Sequence, residues 1–183
     1  MGDSMKDPVK VLFQEHEVIL TAIDIAKQAD KFHIKGEAAY LNVVSSLINF
    51  FQSYADKYHH YKEEKILFPE MNKKNELLEE GVIKEMLENH EDFRDMIKSI
   101  EAFLNKKDYM RAQQQLNIYT EALLDHIAVE NDEVFQMAET LFDNDELEKL
   151  YFHFEDCDRE FGGQKKKELI NQLNEIKGIS DIN

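Results

Sequence analysis

The chain has 183 residues and carries 38 Asp and Glu against 22 Lys and Arg, a formal net charge of -16. That balance argues against a nucleic-acid partner, which needs a basic face, and against docking on anionic membranes; the acidity is read as solubility. Only 6 Gly and 2 Pro over this length point to long helices and away from a β fold, and the single cysteine, Cys157, rules out an intrachain disulfide and a cysteine metal site. A lone thiol fits a reducing, cytoplasmic setting. The polar segment Met1 to Lys10 has no apolar core of a leader, and no apolar run approaches the ~18 residues needed to span a bilayer.

In chain order, Asp7-Pro8 reads as a helix cap followed by a first-turn proline. The first helix is expected to run to about Lys31, with Gly36 as the break and Val9, Leu12, His16, Ile19, Ile23 and Ala26 as its apolar stripe. The second is expected over about Glu37 to Phe68, with Val44, Ile48, Phe51, Ala55, His59, Glu63 and Ile66 on one face. Pro69 and the polar stretch Asn72 to Asn75 should end it. The third is expected from near Glu79 to near Lys106, striped by Ile83, Met86, His90, Phe93, Ile97, Ile100 and Leu104. The fourth is expected from about Asp108 to Phe142, striped by Ala112, Leu116, Tyr119, Leu123, His126, Glu130 and Met137. Short connections make neighbours antiparallel, so the expected fold is all-α: an up-down-up-down four-helix bundle over residues 8–142. A short C-terminal helical extension, 143–183, follows: a fifth helix to about Phe161, a break at Gly162-Gly163 and a sixth to about Lys177. It is expected to pack on the bundle. Residues 1–7 are expected to be disordered or foreign to the natural chain, with Met5 as a second candidate start.

Within these stripes sits a doubled unit. His16 stands alone and is followed one helix later by His59 and Glu63; His90 stands alone and is followed one helix later by His126 and Glu130. An i, i+4 pair projects from one helix face, so each His-x-x-x-Glu can serve one cluster. One such pair is usually a solvated surface contact, but two copies, each preceded by a lone inward His, aim six ligand-type side chains at one interior. Buried groups of this kind are costly unless something binds them. Imidazoles with carboxylates suit iron, zinc or manganese better than calcium or magnesium, and four imidazoles with two carboxylates suit two cations.

The segments His16-Glu17, His59 to Pro69, His90 to Phe93 and His126 to Glu130 resemble the hemerythrin-like, or HHE cation-binding, domain over roughly Pro8 to Phe142. The resemblance implies a four-helix bundle around two non-haem iron ions joined by an oxo or hydroxo bridge. It implies that His16 and His59 hold one iron, that His90 and His126 hold the other, and that Glu63 and Glu130 bridge them. Its partner would be O2 or another small diatomic or peroxide ligand such as NO. Two departures stand out. Met86 occupies the position of a further histidine in the oxygen carriers, and Asn131 stands where they bridge with Asp. Four imidazoles in place of five would leave one iron short of a protein ligand. That opens two alternatives: an enzyme of nitrosative or oxidative stress defence (NO or peroxide reduction, or iron-sulfur cluster repair), or an iron- or oxygen-responsive regulator.

Other residues carry plainer expectations. His60 and Glu64 form a pair shifted by one, on a more polar stripe, so His60 is read as a residue at the boundary of the site or one that supports the ligands from behind. His33 is expected in a solvated loop and His153 on the tail surface. Tyr119, two turns before His126 on the same face, is read as a buried structural residue with a metal ligand or hydrogen-bond donor as the alternative; Tyr54 and Tyr58 stay open in the same way, and Met86 is read as a space filler. Cys157, among acids, is expected to be inert, and Lys165-Lys166-Lys167 to be a solvated helix face.

Overall fold

The computed structural model describes residues 6–180, so the expectations for residues 1–5 and 181–183 fall outside the described residues. The chain is an all-helical bundle with no strand among the described residues. The first helix, α1 (Pro8–Ala26), starts where Asp7 accepts hydrogen bonds from the backbone N–H groups of Val9 and Lys10, with Pro8 in the first turn. It stops short of Lys31. The chain tightens into a 3-10 segment, Ala29–Lys35, which brings Ala29 and Phe32 onto one line facing the core. Side chains three apart eclipse in a 3-10 turn, so this geometry buries both where an α-helix would splay them. Gly36, at φ 106°, makes the turn that a side chain would oppose.

The second long run is continuous from residue 37 to residue 74, but it is not a uniform α-helix. It opens as α2 (Glu37–Phe50), widens into a π-helical stretch at Phe51–His60, returns to π geometry at Glu63–Leu67, and closes as α3 (Phe68–Lys74). Pro69 does not terminate it. The π turn before α3 bonds backwards by five residues, so Pro69 falls within the first two positions of a fresh α-helical segment, where its missing N–H costs nothing. After the 3-10 turn Glu76–Leu78 comes α4 (Val82–Asn105), with Ile83, Met86, His90, Phe93, Ile97 and Ile100 buried along one face. Then α5 (Tyr109–Val129) is capped by Asp108, gives way to a third π segment at Glu130–Val134, and ends as α6 (Phe135–Leu141).

The π segments displace the buried stripe. On α-helical spacing Ile66 and Met137 should face inward, yet both are only partly buried, while Leu67 and Phe68, and Val134, Phe135 and Ala138, are buried in their place. Both shifts follow directly after a glutamate of the doubled unit.

The C-terminal arm is α7 (Asn144–Phe161), opened by a reciprocal capping box between Asp143 and Glu146, and α8 (Gly163–Ser180). The joint lies at Gly162, at φ 91°. Leu147, Leu150 and Phe154 of α7 join the apolar cluster around Leu12 and Phe68, and Leu169, Leu173 and Ile176 of α8 join the larger cluster around Ile19 and Leu123. Lys6 and Asp7 are also held to the fold: Lys6 lies 3.5 Å from Glu148 and 4.2 Å above the ring of Phe152.

Candidate metal centre

His16 comes from α1, His90 from α4 and His126 from α5, each on the apolar face of its helix and each buried. His59 and His60 end the first π stretch. Glu63 and Glu130 are each the first residue of a later π segment. The two copies of the sequence unit thus fold alike: an inward His, then a Glu at which the helix widens.

The side chains form two touching groups, His16 with His59, Glu63 and Glu130, and His60 with His90 and His126, the ligand atoms in each group lying within 4.8 Å of one another. In the first, His16 Nε2 faces His59 Nε2 at 2.8 Å; in the second, His90 Nε2 faces His126 Nε2 at 3.1 Å. The carboxylates divide their oxygens between the groups. Glu130 Oε2 lies 3.2 Å from His16 Nε2 and its Oε1 lies 3.2 Å from His126 Nε2. Glu63 Oε1 lies 3.3 Å from His59 Nε2 and its Oε2 lies 3.7 Å from His90 Nε2. Despite these distances, all four carboxylate oxygens lack a well-aligned hydrogen bond. They converge on the same space as the imidazole nitrogens without bonding to them, which is the geometry of ligands around ions.

The opposite edges of the rings fix which nitrogen is the lone pair. His59 Nδ1 donates to Glu15 Oε2 at 2.9 Å, and His90 Nδ1 donates to Glu64 Oε1 at 2.9 Å. His16 Nδ1 donates to Asn131 Oδ1 at 2.7 Å. A carboxylate or amide oxygen can only accept, so these rings carry hydrogen on Nδ1 and, when neutral, present bare Nε2 lone pairs inward. In the His16–His59 pair, two lone pairs at 2.8 Å repel unless a proton or a cation lies between them. Outer carboxylates of this kind orient metal-ligating histidines and raise their basicity.

Charge at the site follows. Burial alone would depress His59, but the Glu63 carboxylate and the hydrogen bond to Glu15 outweigh it and hold it up at about 10. Burial would raise Glu15, and the His59 and Lys62 contacts override it to bring it down to about 2. Burial drives His90 down to about 3 and His60 well below its ordinary value, the latter also repelled by His90. Burial and the neighbouring Glu130 charge push Glu63 up, whereas His126 and His16 hold Glu130 low against burial. Two buried carboxylates among five imidazoles are a donor set that divalent or trivalent cations satisfy without protons. The residues present therefore fit a metal centre.

All six sequence-derived ligand candidates converge here. His60 does too, which corrects its placement at the boundary: its ring stacks on His90 at 3.8 Å and lies 5.7 Å from His126. The reason is the π stretch. A π turn sweeps a smaller angle per residue than the roughly 100° of an α-helix, which brings the adjacent His59 and His60 closer to one face. The His59-His60 doublet, with Glu63-Glu64 behind it, was the available signal. Glu64 takes the outer role on His90 and is held there by Arg94 at 2.6 Å. Met86 is fully buried in the apolar cluster beside α1. Tyr119 packs edge-on against Phe51 and Phe93. His33 stacks on Tyr40 at 3.8 Å, and His153 is exposed.

Comparison with curated proteins and with solved structures finds no match. The family profile described as Hemerythrin HHE cation binding domain matches residues 7–138, which span every residue of both side-chain groups. The chain therefore belongs to the hemerythrin HHE cation-binding domain family.

Proposed function

We propose that the centre holds two non-haem iron ions and that the protein binds O2 or a related small ligand such as NO there. The long helical runs 8–26, 37–74, 82–105 and 109–141 are read as the four arms of one up-down-up-down bundle built around it. His16 and His59 would hold one iron, His60, His90 and His126 the other, and Glu63 and Glu130 would bridge. The observation that carries this reading is the division of each glutamate's oxygens between the two groups of imidazoles. A bridging anion offsets the repulsion between two cations, and a single ion would not require both oxygens of both carboxylates. Bound iron supplies a redox-active Lewis acid on which a small ligand can be held.

The chain's own residues do the rest. Glu15, Glu64 and Asn131 fix the rings of His59, His90 and His16 in one orientation. Phe135, stacked on His16 at 5.3 Å, and Phe93, edge-on to His126 at 5.1 Å, keep bulk water from the centre. By this count the His16–His59 group would offer two imidazoles and the His60–His90–His126 group three. The shortage of imidazoles that favoured a stress-defence enzyme is made good by His60, so ligand binding is the preferred reading. A cytoplasmic setting belongs to the same proposal, supported by the unpaired thiol of Cys157. No helix among the described residues is long and apolar enough to cross a membrane.

Metal analysis with an optical spectrum of aerobically purified protein tests the reading. Roughly two irons per chain with oxo-bridge charge-transfer bands are expected, by the ligand bookkeeping of such sites. One ion per chain, or none after iron reconstitution, overturns it.

A further inference from the structure

Lys62 is fully buried. A lysine is almost never so placed unless it is paired. Its ammonium lies 2.5 Å from Glu15 Oε1 and 2.6 Å from Asp158 Oδ1, with the ring of Tyr58 3.9 Å away and that of Phe154 at 5.6 Å. Glu15 is the carboxylate that takes the Nδ1–H of His59. Asp158 belongs to α7, and its Oδ1 also accepts from the Tyr58 hydroxyl at 2.7 Å. Lys166 of α8 bonds to the same hydroxyl and lies 3.3 Å from Asp158 Oδ2. Phe161, at the end of α7, stacks on Tyr58 at 4.7 Å.

An unbroken chain of charged contacts therefore runs from a candidate ligand, His59, through Glu15 and Lys62 to Asp158 and Lys166, which stand on either side of the Gly162 joint. Lys62 and Glu15 have little solvent to screen them, so a change at one end is felt at the other more strongly than between surface charges. Both Asp158 and Lys166 lie beyond residue 138, past the matched domain. The arm is tied to the centre by charged groups as well as by apolar burial.

Resting on the reading of the centre as a metal site, we propose that the α7–α8 arm is a metal-responsive element, clamped to the bundle through Lys62 and Asp158 when a cation sits on His59. A cation on Nε2 fixes the imidazole in one orientation and strengthens its N–H bond to Glu15. A fixed Glu15 gives Lys62 a fixed partner, and Lys62 in turn holds Asp158 and, beyond it, Lys166. Without the cation, Glu63 and Glu130 repel across the centre, His59 is held by Glu15 and Glu63 alone, and the clamp slackens at the joint. The linkage is reciprocal: a docked arm tightens cation binding by the same factor by which the cation tightens docking.

Backbone hydrogen exchange of the full chain, with and without Mn(II), reads this directly. In the wild type, Mn(II) is expected to slow exchange across 144–180 by at least ~5-fold, the lower end of ordinary coupling. Asp158→Asn, at a half-buried position that tolerates an isosteric amide, should still bind Mn(II) but lose that slowing and bind several-fold more weakly. Lys62→Met should do the same, and Lys167→Gln, on the exposed face of α8, should behave as wild type. A merely structural clamp would change exchange equally in both metal states, so the metal-dependent difference is decisive. If Mn(II) binds the wild type and leaves exchange at 144–180 unchanged, the arm does not respond to the centre. If Mn(II) does not bind the wild type at all, the metal reading falls, and this inference with it.

Discussion

His59 and His60 are adjacent in the chain, yet His59 Nε2 faces His16 at 2.8 Å while the His60 ring stacks on His90 at 3.8 Å. The doublet spans both halves of the cluster. His60→Ala is therefore expected to weaken metal retention on the His90–His126 side by at least ~10-fold, since even supporting residues of metal sites cost that much. Metal analysis after dialysis should show fewer than two ions per chain with helical content intact. Unchanged stoichiometry and affinity would return His60 to a boundary role.

Glu63→Gln and Glu130→Gln separate metal binding from stability. Each should strip most of the bound metal, whereas His153→Ala, exposed on α7, should strip none. In metal-free protein burial and the Glu130 charge disfavour the Glu63 carboxylate, so the thermal midpoint of Glu63→Gln should hold or rise, whereas Glu130→Gln forfeits the His126 and His16 contacts and should lower it. Metal loading should raise the wild-type midpoint and leave the glutamine variants unmoved. A metal-free midpoint that falls sharply in Glu63→Gln would mark that glutamate as structural.

Tyr40 governs part of the alkaline limb. Burial, with the nearby Asp30 charge, pushes its hydroxyl up to about 12 from an ordinary value of 10.0. The folded state resists ionisation that the unfolded chain accepts, so this contribution is fully present below pH 10 and is lost as pH rises toward 12. Tyr54, Tyr58 and Tyr119 are shifted the same way by burial. Thermal midpoints between pH 9 and 12 should fall, and Tyr40→Phe should make that fall shallower. An equally steep loss in the variant would assign the limb to the other three.

Cys157 should be a slow thiol. Burial pushes it up; Lys62 pulls it back, and Glu160, Asp158 and Asp156 push it further. Alkylation by iodoacetamide at neutral pH is expected to run several-fold slower than for a free cysteine peptide, because only the thiolate reacts. A rate equal to the peptide's would point to a reactive microenvironment that the surrounding charges do not provide.

What the sequence revealed of this site depended on helical periodicity. His16, His90 and His126 fall on apolar stripes with a regular α-helical repeat, and so does His59 as far as the start of its π stretch. The pattern placed them inward without any tertiary information. It failed where the repeat changes. Ile66 and Met137 were expected in the core and are only partly buried, and His60 was assigned to the rim, because no residue type announces a backbone that bonds five positions back. Pro69 misled for the same reason: a proline ends an α-helix but not one restarting after a π turn. Lys62 and Lys166 were illegible in a different way. Their partners, Glu15 and Asp158, lie 47 and 8 residues away, and only the folded arm brings all four together.

Each wide turn holds one more residue than the α-helical turn it replaces. The chain thus carries its inward histidine doublet and the displaced cores after Glu63 and Glu130 as surplus length, not as particular amino acids. Excising a single residue such as Lys57 would let that turn close to ordinary pitch: the helix beyond it would keep its direction, while the side chains carried by the wide turn would be re-aimed without one of them being altered. Gain or loss of such a centre can accordingly proceed by insertion and deletion inside an unbroken helix, a route invisible to any inspection of substitutions alone.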